Sequence, residues 1–239
     1  MANCPLCHDL VEKRVLARVG IVPDATSDLV QCPRCDVICF DPLPTVDQLS
    51  RFYARVKFGL RPRASVAGGE WFGRRLNRIA AKGRLLDVGC GTGYFLAGIR
   101  QSTDWEVAGV EFSREAAAYA RDTLDLPVRR GDLQAAAYPD AHFDVIHLNN
   151  VLEHVTDPVG LLAECRRVLK PEGSFHLGVP NGLNDVRNLI DFHRLEGRPG
   201  RSPSGHVFFF PGRTLETLFD RLGLTVVSRR TASLKPGLR

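Results

Sequence analysis

Leu85-Leu86-Asp87-Val88-Gly89-Cys90-Gly91-Thr92-Gly93 is a short apolar strand that breaks into three alternate glycines and then into helix. Glycine has no Cβ, so the backbone at Gly89, Gly91 and Gly93 can come very close to a ligand. The helix starting near Thr92 offers unpaired N–H groups and a positive dipole end to a carboxylate or phosphate. Trp105–Glu111 reads as a second strand, WEVAGVE, and ends in a carboxylate 22 residues after Gly89. That is close to the ~20-residue offset at which the acid of a Rossmann-type unit takes a ribose diol, so Glu111 is the expected ribose ligand. The glycines follow GxGxG, whereas a pyrophosphate on the helix asks for GxGxxG, and this favours a mononucleoside ligand without a diphosphate. A third strand around Pro127–Arg130 runs into Gly131-Asp132, which puts another carboxylate at a strand's C-terminal edge, within reach of an adenine amino group.

Further along, strands at about 84–89, 105–111, 126–130, 143–149, 174–180 and 224–231 alternate with helices. This order calls for an α/β fold with a Rossmann-like, doubly wound, mostly parallel sheet. Leu161, Leu162, Cys165, Val168 and Leu169 fall at helical spacing, as do Leu215, Leu218, Phe219 and Leu222 before Gly223. These stripes are core faces. Glycine loop, Glu111 and Asp132 together form a cradle suited to S-adenosylmethionine.

With these residues in place, the chain resembles the class I S-adenosylmethionine-dependent methyltransferases over roughly residues 75 to 230. LLDVGCGTGYFL is similar to the family's first motif, VAGVEFS to its second, GDL to its third, FDVIHLNNVLEHVTDP to its fourth, and LLAECRRVLKPEGSFHLGVPN to the helix and strand that follow. The resemblance implies that Asp87, Gly89, Gly91, Gly93, Glu111, Asp132 and Asn149 bind the methyl donor. A seventh, antiparallel strand usually ends this fold, yet only Thr231–Arg239, with Pro236 and Gly237, follow the sixth strand. The final strand is expected to be missing or very short, leaving a sheet edge that is either covered by a partner chain, such as a second copy, or the result of truncation.

Ahead of this unit, Cys4-Pro-Leu-Cys7 and Cys32-Pro-Arg-Cys35 form two CxxC pairs separated by 24 residues. Four thiolates at that spacing suit a tetrahedral, closed and therefore structural Zn²⁺ site. About 40 residues hold too little apolar surface to fold unaided, and zinc supplies roughly 10–16 kcal/mol to such peptides. The expected organisation is a zinc ribbon over 1–44, a helical linker and cover over 45–82, and the donor-binding domain over 83–239. Thr45 follows Pro42-Leu43-Pro44 as a good N-cap for a helix carrying Val46, Leu49, Phe52 and Tyr53. Cys39, just past the quartet, reads as a buried strand residue or a spare ligand.

The chain has 239 residues, 44% of them hydrophobic, with 32 Lys+Arg against 27 Asp+Glu for a net charge of +5. No N-terminal stretch pairs a basic with an apolar segment, and no apolar run approaches the ~20 residues that cross a bilayer. A soluble, cytoplasmic protein is the expectation, and the arginines are too dispersed to require nucleic acid.

Methyl transfer is an in-line displacement, so alignment supplies most of the catalysis, and a base is needed only where the acceptor holds its proton. The fourth strand ends Asn149-Asn150-Val151-Leu152-Glu153-His154, at the carboxyl edge where open α/β sheets bind ligands. The segment is similar to that of the ubiquinone-biosynthesis O-methyltransferases, Glu-x-x-Glu-His, which can hold a divalent metal. Here the first glutamate falls on Asn150, while Glu153 and His154 match. An Asn in place of the first Glu can still coordinate a metal but loses a charge, which counts against a metal at this position. His154 is the first candidate base, with Glu153 beside it, and His206 in His-Val-Phe-Phe-Phe is the second. Arg187, Arg194, Arg198 and Arg201 surround His193 and either form a solvated face or grip an anionic acceptor. Tyr53, Trp71 and Phe72 precede the glycine motif, where they either cover the donor or pack a core.

The leading reading is a methyltransferase of a small molecule or sugar. The alternatives are an RNA methyltransferase that grips its substrate with the ribbon and a non-catalytic donor-binding scaffold.

Overall fold

The near-continuous apolar runs Leu85–Val88 and Val145–Leu148 require cover on both faces, and a parallel sheet sandwiched by helices provides it. A computed structural model describes residues 1–22, 25–53, 62–180, 183–196, 200–201, 205–211 and 214–230. The first stretch holds β1 (Ala2–Asn3), β2 (Leu10–Val11), β3 (Arg14–Val22), β4 (Ala25–Gln31) and β5 (Ile38–Asp41), then α1 (Val46–Tyr53) and α2 (Pro62–Leu76). Next come β6 (Arg84–Val88), α3 (Tyr94–Ser102), β7 (Glu106–Glu111), α4 (Arg114–Asp122), β8 (Val128–Arg130) and β9 (Phe143–Asn149). After a 3₁₀ turn at Leu152–His154 follow α5 (Pro158–Val168), β10 (Leu169–Gly178), α6 (Leu183–Glu196), β11 (Gly200–Arg201), β12 (Phe208–Phe209) and α7 (Thr214–Arg221).

The larger unit is a five-stranded parallel sheet in the order β10-β9-β6-β7-β8. It is the Rossmann-like fold of class I methyltransferases. From β6 the chain builds outward through β7 and β8, then returns to lay β9 and β10 on the other side. The carboxyl ends of β6 and β9 are thus the point where strand order reverses, and ligands of open α/β sheets bind at such a point.

In the smaller unit, β3, β4 and β5 form an antiparallel meander whose inner face buries Ala17, Val19, Leu29 and Phe40. Its two outer strands come from late in the chain, giving the order β11-β3-β4-β5-β12. Thr45 caps α1 as expected: its Oγ1 accepts from Gln48 N–H at 3.2 Å, and Gln48 Oε1 accepts from Thr45 N–H at 2.8 Å.

Two expectations need correction. No strand forms over the described residues 224–230; the segment leaves α7 through Gly223 at φ +66°, and Val226 and Val227 are 45% and 92% exposed. Branched residues favour strand only against a partner and a face to bury, and neither is supplied here. Among the described residues β10 is therefore one edge of the sheet, opposite β8, and 231–239 lie outside them. The fifth strand, in turn, starts early: Leu169 already pairs with Phe143, and Lys170–Gly173 bulges before pairing resumes at Ser174. No helix among the described residues is long and apolar enough to cross a membrane.

α2 lies backbone to backbone on α3, which carries the glycine turn at its head. A Cβ on Gly98 would stand 2.2 Å from the Val66 carbonyl oxygen, whereas one on Gly68 would meet nothing within 4 Å. Alanine gains about 1 kcal/mol over glycine inside a helix, while overpacking costs about 1–3 kcal/mol. Gly98→Ala is expected to lose about 1–2 kcal/mol in urea unfolding and Gly68→Ala to gain up to about 1 kcal/mol; equal effects would refute the close crossing.

Candidate functional site

At the end of β6 the backbone turns through positive φ at Gly89 (+73°), Gly91 (+56°) and Gly93 (+82°). The Gly89 and Cys90 N–H groups both donate to the Val110 carbonyl, at 2.8 and 3.1 Å, which folds the turn over the end of β7. There Glu111 accepts from Gly91 N–H at 2.8 Å and from Ser113 N–H at 2.7 Å. Burial pushes its carboxyl above the ordinary range, and these N–H groups pull it back down. A Cβ on Gly91 would meet nothing within 4 Å, so it is φ that requires glycine there, and the space before it is open.

The other expected donor-binding residues lie around this turn. Asp132, exposed, caps the next turn by accepting from Ala135 N–H at 2.6 Å. Asn149, also exposed, lies against Gly178. Asp87 sits under the sheet, 5% exposed, with Oδ1 2.7 Å from His147 Nδ1. Sequence reasoning passed over Phe112, which is 54% exposed directly after Glu111; its place in VAGVEFS, next to the acid that ends the strand, was the available signal.

Gly89 connects this turn to the second group of residues. A Cβ on Gly89 would be 2.3 Å from Val151 Cγ2, so the chain after β9 packs directly on the glycine turn. That chain leads into Glu153 and His154, and it meets His206. Glu153 Oε1 is 3.8 Å from His154 Nε2 and 4.0 Å from His206 Nε2. Glu153 is 1% exposed, and neither of its carboxylate oxygens has a hydrogen-bond partner among the described residues. The expectation of a carboxylate at the rim is therefore corrected: Glu153 points inward. Burial pushes it up to about 7.

His154 Nδ1 lies 3.2 Å from the Gly205 carbonyl. A carbonyl only accepts, so Nδ1 carries the proton and Nε2 is the basic nitrogen. Burial, with His206 nearby, pulls His154 down to about 4 and keeps it neutral. His206 has Asp185 Oδ2 3.1 Å from Nδ1, and burial lowers it as well. Asp185 was also missed: it joins the group from the first turn of α6, and no local pattern marks that approach. Beside the Asn150, Glu153 and His154 set, the structure brings in His206: Glu153, His154 and His206 offer ligand atoms within 4.8 Å of one another.

Cys4, Cys7, Cys32 and Cys35 are buried, with ligand atoms all within 4.8 Å. The Cys4–Cys35 and Cys7–Cys32 sulfurs are 3.7 and 3.8 Å apart. A disulfide needs about 2.05 Å, whereas a tetrahedral Zn–S distance of about 2.3 Å places sulfurs about 3.8 Å apart. A hydrogen bond from Cys35, with N–H groups of Cys7 and Leu6, lowers the Cys4 thiol to about 4, favouring a thiolate. Cys39 stands outside this set in β5, where burial pushes it up to about 12, so it is a core residue.

Phe72, 8% exposed, packs against Phe95, His147 and His176 and is core. Trp71 is 52% exposed under the Arg75 guanidinium. Arg187 and Arg194 are exposed. Arg198 and the side chains of Tyr53 and Arg201 lie outside the described residues. A cavity of about 360 Å³ opens at the opposite, amino-terminal edge of the sheet, beside Arg84, Arg129 and His142.

The family model for the methyltransferase domain matches residues 63–229. The chain belongs to this methyltransferase family. It is an enzyme of the S-adenosylmethionine-dependent class. An uncharacterized protein of Mycobacterium bovis is 33% identical over 175 residues, 69% of this chain and 55% of the relative. The ubiquinone biosynthesis O-methyltransferase of Thiobacillus denitrificans is 36% identical over 97 residues, 38% of this chain and 41% of the relative. The chain thus spans about half the length, or less, of these curated relatives. Among solved structures, the [4+2]-cyclase SpnF superposes with a TM-score of 0.55 at 23% identity, covering 75% of this chain and 73% of that one. This methyltransferase fold also serves a protein named for a cyclisation, so the fold does not name the substrate.

The buried carboxylate makes stability depend on pH. Glu153 rises from 4.5 to about 7, so the folded chain holds the proton more tightly than the unfolded one. Its stabilising contribution is full below pH 4.5 and lost as pH rises through 7, a change of roughly 3 kcal/mol. His154, lowered from 6.5 to about 4, works oppositely: its contribution is present above pH 6.5 and lost as pH falls through 4. Glu153→Gln removes the first effect alone. At pH 8 the variant should be more stable than the parent by up to about 3 kcal/mol in denaturant unfolding, and the gap should close by pH 4.5. A parent more stable at pH 8 would show that Glu153 is charged and paired in the fold.

Proposed function

We propose that this methyltransferase acts on a small molecule, with Glu153, His154 and His206 at the acceptor and a structural Zn²⁺ held by Cys4, Cys7, Cys32 and Cys35. The observation behind this reading is a buried carboxylate between two imidazoles, packed through Val151 onto the glycine turn. The side chains of Glu153, His154 and His206 are 1%, 21% and 14% exposed, which suits an acceptor that enters a recess over a polymer lying across a surface. The partial match to an O-methyltransferase of ubiquinone biosynthesis agrees with an acceptor that carries a hydroxyl.

S-adenosylmethionine, when bound, supplies a methyl group on a positively charged sulfur. Glu111, held by two backbone N–H groups, turns its remaining lone pairs toward a ribose diol. Phe112 offers a flat apolar face to a purine, and Asp132 keeps one carboxylate oxygen for an exocyclic amine. Gly89 and Gly91 let the backbone approach, and the head of α3 supplies N–H groups to a carboxylate. On the acceptor side, the basic Nε2 of His154 or His206 takes the acceptor's proton. Glu153 stabilises the imidazolium so formed, because charge pairs interact strongly where water is excluded.

Glu111→Ala removes a charge-assisted hydrogen-bond pair worth about 1.5–3 kcal/mol. It should weaken S-adenosylhomocysteine binding about 10–100-fold in calorimetry, and unchanged affinity would remove Glu111 from the donor site. With a pool of hydroxylated small molecules as acceptors, His154→Ala and His206→Ala should each slow methylation by at least about 100-fold, the usual contribution of a positioned base, while leaving S-adenosylhomocysteine affinity intact. Turnover unchanged in both variants would refute acid–base work by this cluster.

A further inference from the structure

The four-cysteine unit and the acceptor side of the site share one piece of chain. β11 pairs in parallel with β3 (Gly200↔Val19, Arg201↔Gly20), and β12 pairs antiparallel with β5 (Phe208↔Cys39, Phe209↔Ile38). Both edges of the small meander are therefore occupied by the excursion between α6 and α7, the same excursion that carries His206. The Val207 N–H, one residue on from His206, donates to the Glu153 carbonyl at 2.7 Å, and Gly205, one residue before it, faces His154 through its carbonyl. Val207, Phe208, Phe209 and Phe210 are all at or below 2% exposure, so the connection is a packed one.

The far end of the excursion grips the cysteine loops themselves. Thr214, 0% exposed, donates its hydroxyl to the Cys35 carbonyl at 2.9 Å, and Arg221 donates to the Cys7 carbonyl at 2.7 Å. One residue of each CxxC pair is thereby hydrogen-bonded to α7, from opposite ends of that helix. The segment from Gly205 to Arg221 is held at both ends: at one by the buried acid–histidine cluster, at the other by the carbonyls of the metal-ligand loops.

We propose that the ribbon splints the acceptor side of the site, with Thr214 and Arg221 as positioning residues that set His206 against Glu153. This rests on the reading of His206 as an acceptor-side group. A backbone ladder and a buried helix contact transmit displacement because neither compresses, so a shift at the cysteine loops moves β12 and His206 with it. Among the described residues, the backbone hydrogen bonds of the glycine turn run instead to β7, from the Gly89 and Cys90 N–H groups to the Val110 carbonyl.

The test uses the full chain with its metal counted by native mass spectrometry. Amide exchange is read at Val207 and at Gly89, histidine-ring ¹⁵N signals are assigned with His206→Gln, and S-adenosylhomocysteine affinity is measured alongside. In Thr214→Val/Arg221→Ala, Val207 exchange should accelerate at least tenfold and the His206 ring signals should move, with Gly89 protection and S-adenosylhomocysteine affinity unchanged. Thr214→Ser, which keeps the hydroxyl, should return Val207 protection to the parent's value. Parental Val207 protection and His206 signals in the double variant would overturn the proposal, and so would equal loss of protection at Val207 and Gly89. If the double variant does not fold, Arg221→Gln alone, at an exposed side chain, is expected to show the same selective change at smaller size, and no change there overturns the proposal. Turnover unaffected by His206→Ala would end the acceptor-side reading while leaving the exchange result standing, and a chain isolated without zinc would end the zinc assignment alone.

Discussion

The parallel pairing of Leu85–Val88 with Val145–Leu148 is the constraint on which the rest of the molecule depends. It joins the two directions in which the sheet is wound, so the chain must leave both strands at the same edge without either exit blocking the other. Gly89 meets that demand twice: its positive φ turns the chain away from the sheet, and its missing Cβ leaves room for Val151. A side chain there would separate the donor turn from the acid–histidine segment. The proximity of the two is a packing consequence of one residue.

Within that space, charge is governed by burial more than by pairing. Glu153 meets no hydrogen-bond donor among the described residues, and the two imidazoles facing it are pulled toward neutrality. Burial raises the acid and lowers both bases, so all three groups are pushed toward their uncharged forms. Glu111 presents the contrast: it is half-buried, and two backbone N–H groups donate to its carboxylate and fix its direction. One carboxylate is fixed by backbone donors and the other is shaped by burial alone, on neighbouring parts of the same sheet edge.

The small unit earns its place through contact with this edge. Its own strands β3, β4 and β5 leave two edges bare, and a three-stranded meander with exposed edges is a site for unwanted pairing. β11 and β12 cover both. The covering strands belong to the excursion that carries His206, so the same backbone hydrogen bonds that protect the small sheet also order part of the site.

The glycine turn and its contact with Glu111 were legible in the sequence because the residues are consecutive or lie at fixed offsets. A glycine turn, an acid at the end of the next strand and a CxxC pair are local in chain, and local geometry needs only φ and spacing. The parallel sheet was legible for the same reason, from alternating strands and helices. The TVV run at 225–227 misled because branched residues describe a willingness to pair without supplying a partner. What only the tertiary structure decided is everything that joins distant segments: His206 beside Glu153, Asp185 behind His206, and Phe208–Phe209 in the sheet of the cysteine ribbon. Such contacts depend on how far β9, α6 and β12 travel before they meet, a distance in space that no residue pattern encodes.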